Sequence, residues 1–118
     1  MHENDKPVLI YSTFPSPTEA ERVGAALVDG GLAACVNIFP GMTAIYIWEG
    51  ARQRESETAM FIKTRAALAR RVIDATLSLH PYTNPALIVL PVIDGSEAYL
   101  GWIAAATAAP ARSAAGAP

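Results

Sequence analysis

The stretch Leu32-Ala33-Ala34-Cys35-Val36-Asn37-Ile38-Phe39-Pro40-Gly41-Met42-Thr43-Ala44-Ile45-Tyr46-Ile47-Trp48 decides how the chain folds. It is rich in β-branched and aromatic residues, as strands are, yet far longer than an ordinary strand of about five or six residues. Its pattern breaks once, at Pro40-Gly41. Proline has no N–H for a ladder and glycine tolerates bulge geometry, so the reading is two strand halves joined by a bulge that re-aims the side chains. The polar run from Glu49 to Arg54 then reads as a turn, and Glu57 to Thr64 (ETAMFIKT) as the returning strand of a long hairpin.

On the N-terminal side, Val8 to Phe14 (VLIYSTF) has the composition of a buried strand. Ser16-Pro17-Thr18-Glu19 is a capping box with proline at the first helical position, opening a helix whose apolar face is Ala20, Val23, Leu27 and Val28. Gly30-Gly31 ends it. On the C-terminal side, Thr64 is placed to cap a second helix with Leu68, Val72, Ala75 and Leu79 at core spacing. His80 lies at its end and Pro81 stops it. Ala86 to Val92 (ALIVLPV) is nearly all apolar, the pattern of a central strand or one covered on both faces. Asp94-Gly95-Ser96-Glu97 caps a third helix through Tyr99, Leu100, Trp102 and Ile103.

The order is β-α-β-β-α-β plus a terminal helix, an α+β ferredoxin-like arrangement with two helices on one face of an antiparallel sheet. One domain is expected over residues 8–107, with a flexible leader at 1–7 and a disordered Ala/Pro-rich tail at 108–118. The second sheet face still needs cover, because the hairpin alternates Ile45 and Ile47 with Tyr46 and Trp48, apolar on both sides. A closed homo-oligomer would bury it and pair the strand edges. Composition points the same way: only 17% of residues are charged against 52% hydrophobic, low polar cover for a small domain.

A net charge of −2 argues against a general nucleic-acid binder. The basic run Lys63, Arg65, Arg70 and Arg71 is read as a solvated helix start and face rather than a phosphate site. The single cysteine, Cys35, excludes an intramolecular disulfide. The leader MHENDKP is polar and acidic, unlike a secretory signal, and no apolar run approaches the roughly 20 residues of a membrane span, so a cytoplasmic protein without a membrane partner is expected.

Several stretches, in order and spanning about Val8 to Ile103, closely resemble the CutA family of divalent-cation tolerance proteins. They are LAACVNIFPG, Tyr46-Ile47-Trp48-Glu49-Gly50, Ile62-Lys63-Thr64, His80-Pro81-Tyr82 with Pro85, Leu90-Pro91-Val92, and Tyr99-Leu100 with Trp102-Ile103. The resemblance implies a ferredoxin-like subunit, a compact homotrimer related in build to PII-type signalling proteins, and a role in tolerance of copper and other divalent metals. Two positions depart from the family's usual pattern. Ala51-Arg52 stands where a Lys-Ile pair is usual, and Ala86 stands where a Glu usually follows the second proline. The missing carboxylate removes one acceptor from the expected pocket.

Candidate site residues carry three chemistries. Durable transition-metal sites need three or four donors. Outside the leader, Cys35 and His80 are the soft donors, too few for one chain to close a zinc site. A trimer sharing them between subunits, completed by carboxylates or water, would hold copper or another divalent cation weakly, with thiolate softness favouring Cu(I). No cofactor is required. Cys35 and His80 in contact would make a nucleophile–base pair, with Lys63, Tyr82 and the Gly41 backbone to polarise a substrate. The favoured alternative is a small buried Cys35 and a His80 that caps the carbonyls of its own helix, so no catalytic residue is assigned. Lys63, His80 and Tyr82 are expected to converge where strand and helix ends meet. With Trp48 from a neighbouring subunit they would hold a small anionic ligand, as in a PII-like module that relays a metabolite to a protein partner; Trp48 as interface packing is the alternative. Glu57 is expected to face Tyr46 and to pair with Arg52 or Arg54.

Overall fold

The computed structural model describes residues 5–110. Its elements are β1 (Pro7–Phe14), α1 (Pro17–Asp29), β2 (Cys35–Trp48), β3 (Ala51–Arg65), a short 3-10 turn (Ala66–Leu68), α2 (Ala69–Leu79), β4 (Leu87–Pro91) and α3 (Glu97–Ala106). The four strands form one sheet in the order β2-β3-β1-β4, every neighbour antiparallel. This is the split βαβ arrangement expected from the sequence.

Alternation along the strands gives the sheet two faces. Val8, Ile10, Ser12 and Phe14 of β1 stand opposite Thr64, Ile62, Met60 and Thr58 of β3, and this face lies under α1 and α2. Ile10, Phe14, Met60, Ile62, Val23 and Val72 are fully buried there. On α1 the buried stripe is Ala20, Val23, Gly24 and Leu27, whereas Val28 is 38% exposed. Gly24 takes the place expected of Val28: a Cβ there would meet Val36 Cγ2 at 2.8 Å, so only glycine lets α1 settle this closely on β2.

Caps account for further differences. The Ser16 hydroxyl accepts the Glu19 N–H (3.2 Å), but the Glu19 carboxylate accepts from Arg22 (2.8 Å). Thr64 lies within β3 and its Oγ1 donates to the Leu32 carbonyl (2.7 Å), so it caps no helix; the 3-10 turn intervenes before α2. β4 is an edge strand paired with β1 alone, and its Ile88, Val89 and Leu90 are exposed, contrary to the central position that its apolar run suggested. In the leader, Pro7 begins β1, the Lys6 carbonyl accepts the Ala66 N–H (2.7 Å), and Asp5 pairs with Arg65 (3.5 Å). The rest of the expected leader and most of the expected tail lie outside the described residues.

The long hairpin is present, with a different turn. It closes on Glu49-Gly50, both at positive φ (50° and 81°), the two-residue type I′ geometry. The polar residues that read as a turn, Arg52 and Arg54, belong to β3 opposite Ile47 and Ile45. Between Phe39 and Met42 the register slips by one residue, and Gly41 sits at φ +80. This is the bulge read from Pro40-Gly41, and it swaps which residues of β2 share a face. Before it, Cys35, Asn37 and Phe39 lie with Lys63, Phe61 and Ala59 on the face away from α1 and α2; after it, Met42, Ala44, Tyr46 and Trp48 do.

Beyond the Phe14–Thr58 pair, β2 and β3 continue alone as a two-stranded arm about 20 Å long. It draws the radius of gyration to 14.8 Å, against about 13 Å for a compact chain of this size. An isolated two-stranded ribbon is marginal in water. This one carries Ile45, Ile47 and Trp48 at 56, 67 and 63% exposure.

Candidate functional site

The residues singled out in the sequence fall into three places. At the C-terminal end of β1, His80, Tyr82 and Glu57 come together. His80 is the residue that ends α2, and its ring stacks on Phe14 with centroids 4.3 Å apart. Its Nε2 lies 2.8 Å from the Thr13 carbonyl oxygen, and its Nδ1 is 3.0 Å from the Tyr82 backbone N–H. The partners fix the tautomer: a carbonyl only accepts and an amide N–H only donates, so Nε2 carries the proton and Nδ1 is the acceptor. Burial pushes the His80 pKa below its ordinary value, the bond to Thr13 and the Glu19 and Glu57 carboxylates opposing and Arg22 assisting.

The ring therefore does not cap the carbonyls of its own helix, as the sequence suggested. Arg22 of α1 does so instead, donating to the Leu79 carbonyl at 2.6 Å. His80 ties the loop after α2 to β1. That places Tyr82, whose hydroxyl donates to Glu57 Oε2 at 2.8 Å. Burial and the Glu57 carboxylate hold the Tyr82 hydroxyl well above the usual tyrosine range. One step outward along the arm, the Tyr46 hydroxyl donates to Glu55 (3.3 Å). Glu57 is opposite Met42, and Tyr46 is opposite Gln53, so Glu57 neither faces Tyr46 nor shares a face with Arg52 and Arg54. The expected pairing fails because the turn is tighter than the polar run implied.

Lys63 and Cys35 are cross-strand partners at the other end of the sheet. Lys63 stands opposite Leu9, four residues along β1 from Thr13, about 13 Å away. Its Nζ donates to the Tyr99 hydroxyl of α3 (2.9 Å). Cys35 is partly exposed; its thiol lies 3.7 Å from the Val36 carbonyl, and Asn37 Nδ2 donates to the sulfur at 3.8 Å. Trp48 occupies the third place, the arm tip, opposite Ala51.

One subunit thus does not assemble the expected Lys63–His80–Tyr82 pocket, nor a Cys35–His80 nucleophile–base pair. Among the described residues no group of three or more His, Cys, Asp and Glu side chains is placed to hold a metal ion. As a ligand His80 would have to surrender the Tyr82 N–H from Nδ1, and its other nitrogen is protonated. Of the two soft donors, Cys35 alone presents an accessible lone pair. Around the neighbouring Tyr82 hydroxyl the charges are the Glu57 and Glu55 carboxylates, an environment for a cation rather than an anion. Thr13, Phe14 and Arg22 were missed by sequence reasoning. Two of them act through a carbonyl or a buried ring, which no residue-type pattern announces.

An α+β ferredoxin-like domain with a bulged, projecting hairpin and a third helix beside Lys63 of β3 defines the class of fold. Within that class the comparisons are specific. The family model described as CutA1 divalent ion tolerance protein matches residues 8–106. The chain belongs to this family. It is 38% identical over 95 residues to the divalent-cation tolerance protein CutA of Thermus thermophilus, covering 80% of this chain and 92% of that one. The structure of the periplasmic divalent cation tolerance protein CutA of Archaeoglobus fulgidus superposes with a TM-score of 0.82 at 39% identity, covering 86% of this chain and 98% of that one. CutA1 of Ehrlichia chaffeensis gives 0.85 at 30% identity, covering 88% and 97%.

Proposed function

We propose that this chain serves divalent-cation tolerance as a closed homotrimer that takes up metal ions, copper foremost, weakly and through groups brought together between subunits. The observation that carries the reading is the family match across residues 8–106, with relatives named for divalent-cation tolerance. The geometry supports it in a particular way. The accessible soft donor, Cys35, lies on the sheet face that α1 and α2 leave uncovered, where another subunit's groups would meet it. An anionic metabolite is the weaker reading, because Lys63 is engaged with Tyr99 and the His80 end of the sheet bears carboxylates.

Copper titration of the wild-type protein and of Cys35→Ser, read by elemental analysis after equilibrium dialysis, tests the assignment. The tightest Cu(I) uptake is lost in the variant; uptake unchanged by the substitution removes Cys35 as a ligand. Complementation of a copper-sensitive strain tests the tolerance role itself. No helix of the described residues is long and apolar enough to cross a membrane. A cytoplasmic location is part of this proposal, to be checked by fractionation.

A further inference from the structure

The sequence holds two Asp-Gly pairs, Asp29-Gly30 and Asp94-Gly95. Both aspartates are exposed, yet the fold treats the pairs differently. Asp29 ends α1, and the Gly30 N–H donates to the Ala26 carbonyl at 3.1 Å, so that nitrogen belongs to the helix ladder. Asp94 lies in the segment 92–96 between β4 and α3, outside any helix or strand. There the Gly95 N–H donates to the side chain of the residue before it, Asp94 Oδ1, at 2.8 Å. This contact stands in place of the capping expected of the stretch, and Ser96, the N-cap residue of α3, makes no side-chain capping bond. Asp94 also borders an open groove of about 430 Å³, shared with Lys6, Pro7, Pro91 and Leu100, which leaves its side chain room to turn.

We propose that Asp94-Gly95 is a modification site, where the chain isomerises spontaneously to isoaspartate. In the acid form of the side chain the Gly95 nitrogen attacks Asp94 Cγ. The N–Cγ bond forms, the Cγ–OH bond breaks, and the hydroxyl leaves as water with the amide proton. The product is a five-membered cyclic imide. Water then adds to one of its carbonyls. Opening at Cγ restores aspartate; opening at the backbone carbonyl leaves the chain running through the side chain, as isoaspartate with a free α-carboxylate. The step needs no oxidant, metal or second subunit. The hydrogen bond holds the attacking nitrogen against the carboxyl group, which supplies proximity. Gly95 has no Cβ to hinder ring closure, and one built there would press on Leu100 Cδ2 at 3.3 Å. At Asp29-Gly30 the same attack first requires the last turn of α1 to open. The isoaspartyl form adds one methylene to the backbone just ahead of α3. It is felt where Gly95 lies against Leu100, and in the first turn of the helix, which carries Tyr99 to Lys63.

Ageing the full chain in neutral buffer at physiological temperature tests the site, with Asp29 as the internal control. Digestion with an endoprotease that cuts before aspartate but not before isoaspartate reads each position separately by mass spectrometry. Methyl transfer from S-adenosylmethionine by an isoaspartyl carboxyl methyltransferase reads the total. In the folded protein, resistance to cleavage is expected to develop at Asp94 at least about tenfold faster than at Asp29. In urea, where the fold no longer distinguishes the two pairs, the rates are expected to converge to within about threefold, since both then have the same unrestrained dipeptide. Asp94→Glu, which keeps the charge but disfavours closure to the larger ring, is expected to remove most of the methyl acceptance. Equal rates at the two positions in the folded protein, or a faster rate at Asp29, overturn the assignment. So does an Asp94 that stays intact in the folded protein over the time in which the urea-unfolded chain converts, because the fold would then protect the pair rather than promote its closure.

Discussion

Replacing His80 by alanine removes the tie between β1 and the loop after α2, and the structure sets the size of the loss. Two hydrogen bonds go, each worth about 1 kcal/mol net. The Thr13 carbonyl and the Tyr82 N–H lose their partner, and a buried group left unsatisfied costs about 1–3 kcal/mol. The ring stacked on Phe14 leaves a cavity beside a fully buried aromatic. Since the bond losses and the unsatisfied groups overlap, about 3–4 kcal/mol is expected at neutral pH, read by urea unfolding at fixed protein concentration. The pH dependence carries a second signature. Burial lowers the folded-state pKa, so the neutral ring favours the native state above the ordinary histidine pKa of about 6.5. As pH falls below that value the unfolded chain takes up a proton that the folded chain refuses, and stability declines until the folded pKa is reached. The slope for this one group is at most about 1.4 kcal/mol per pH unit. His80→Gln is expected to flatten the stability curve below about pH 6.5. A loss under 1 kcal/mol in His80→Ala, or an acid limb unchanged in His80→Gln, would refute the bracket.

Two further substitutions probe its surroundings. In Gly24→Ala, a helix-propensity gain near 1 kcal/mol competes with overpacking against Val36 Cγ2 at 2.8 Å, worth about 1–3 kcal/mol. A net loss of about 1 kcal/mol is expected, reversed when Val36→Ala opens the space; a variant more stable than wild type without that second change contradicts the close packing of α1 on β2. Tyr82→Phe removes the donor to Glu57 and is expected to cost about 1–2 kcal/mol. In ultraviolet titration the wild type should show a tyrosine resisting ionisation that the variant lacks, and identical titrations would dissolve the Tyr82–Glu57 bond.

Element order was legible because each element carried its own period and punctuation. Ser16-Pro17 opened α1, Pro40-Gly41 marked the bulge, and the strand patterns gave the hairpin. Polarity misled at Arg52 and Arg54. A ribbon that projects from the body exposes both faces, so its residues resemble a turn although they are paired, and the Glu49-Gly50 signal inside the run was the true turn. Apolarity misled at β4 for the converse reason: Ile88, Val89 and Leu90 are exposed at a sheet edge, and a run of apolar residues does not say what, if anything, covers it. At the site, the sequence placed His80 at the end of a helix and joined Tyr82 to it. The separation of Lys63 from His80 depends on register, since one stands opposite Leu9 and the other reaches Thr13. Local pattern does not encode that distance.

The central claim, a chain completed by copies of itself, is tested most directly by its mass in solution. Light scattering at micromolar concentration should give about 37.5 kDa, three times the 12.5 kDa chain. A value near 12.5 kDa would contradict the account, leaving the arm and the uncovered face of the sheet without a partner.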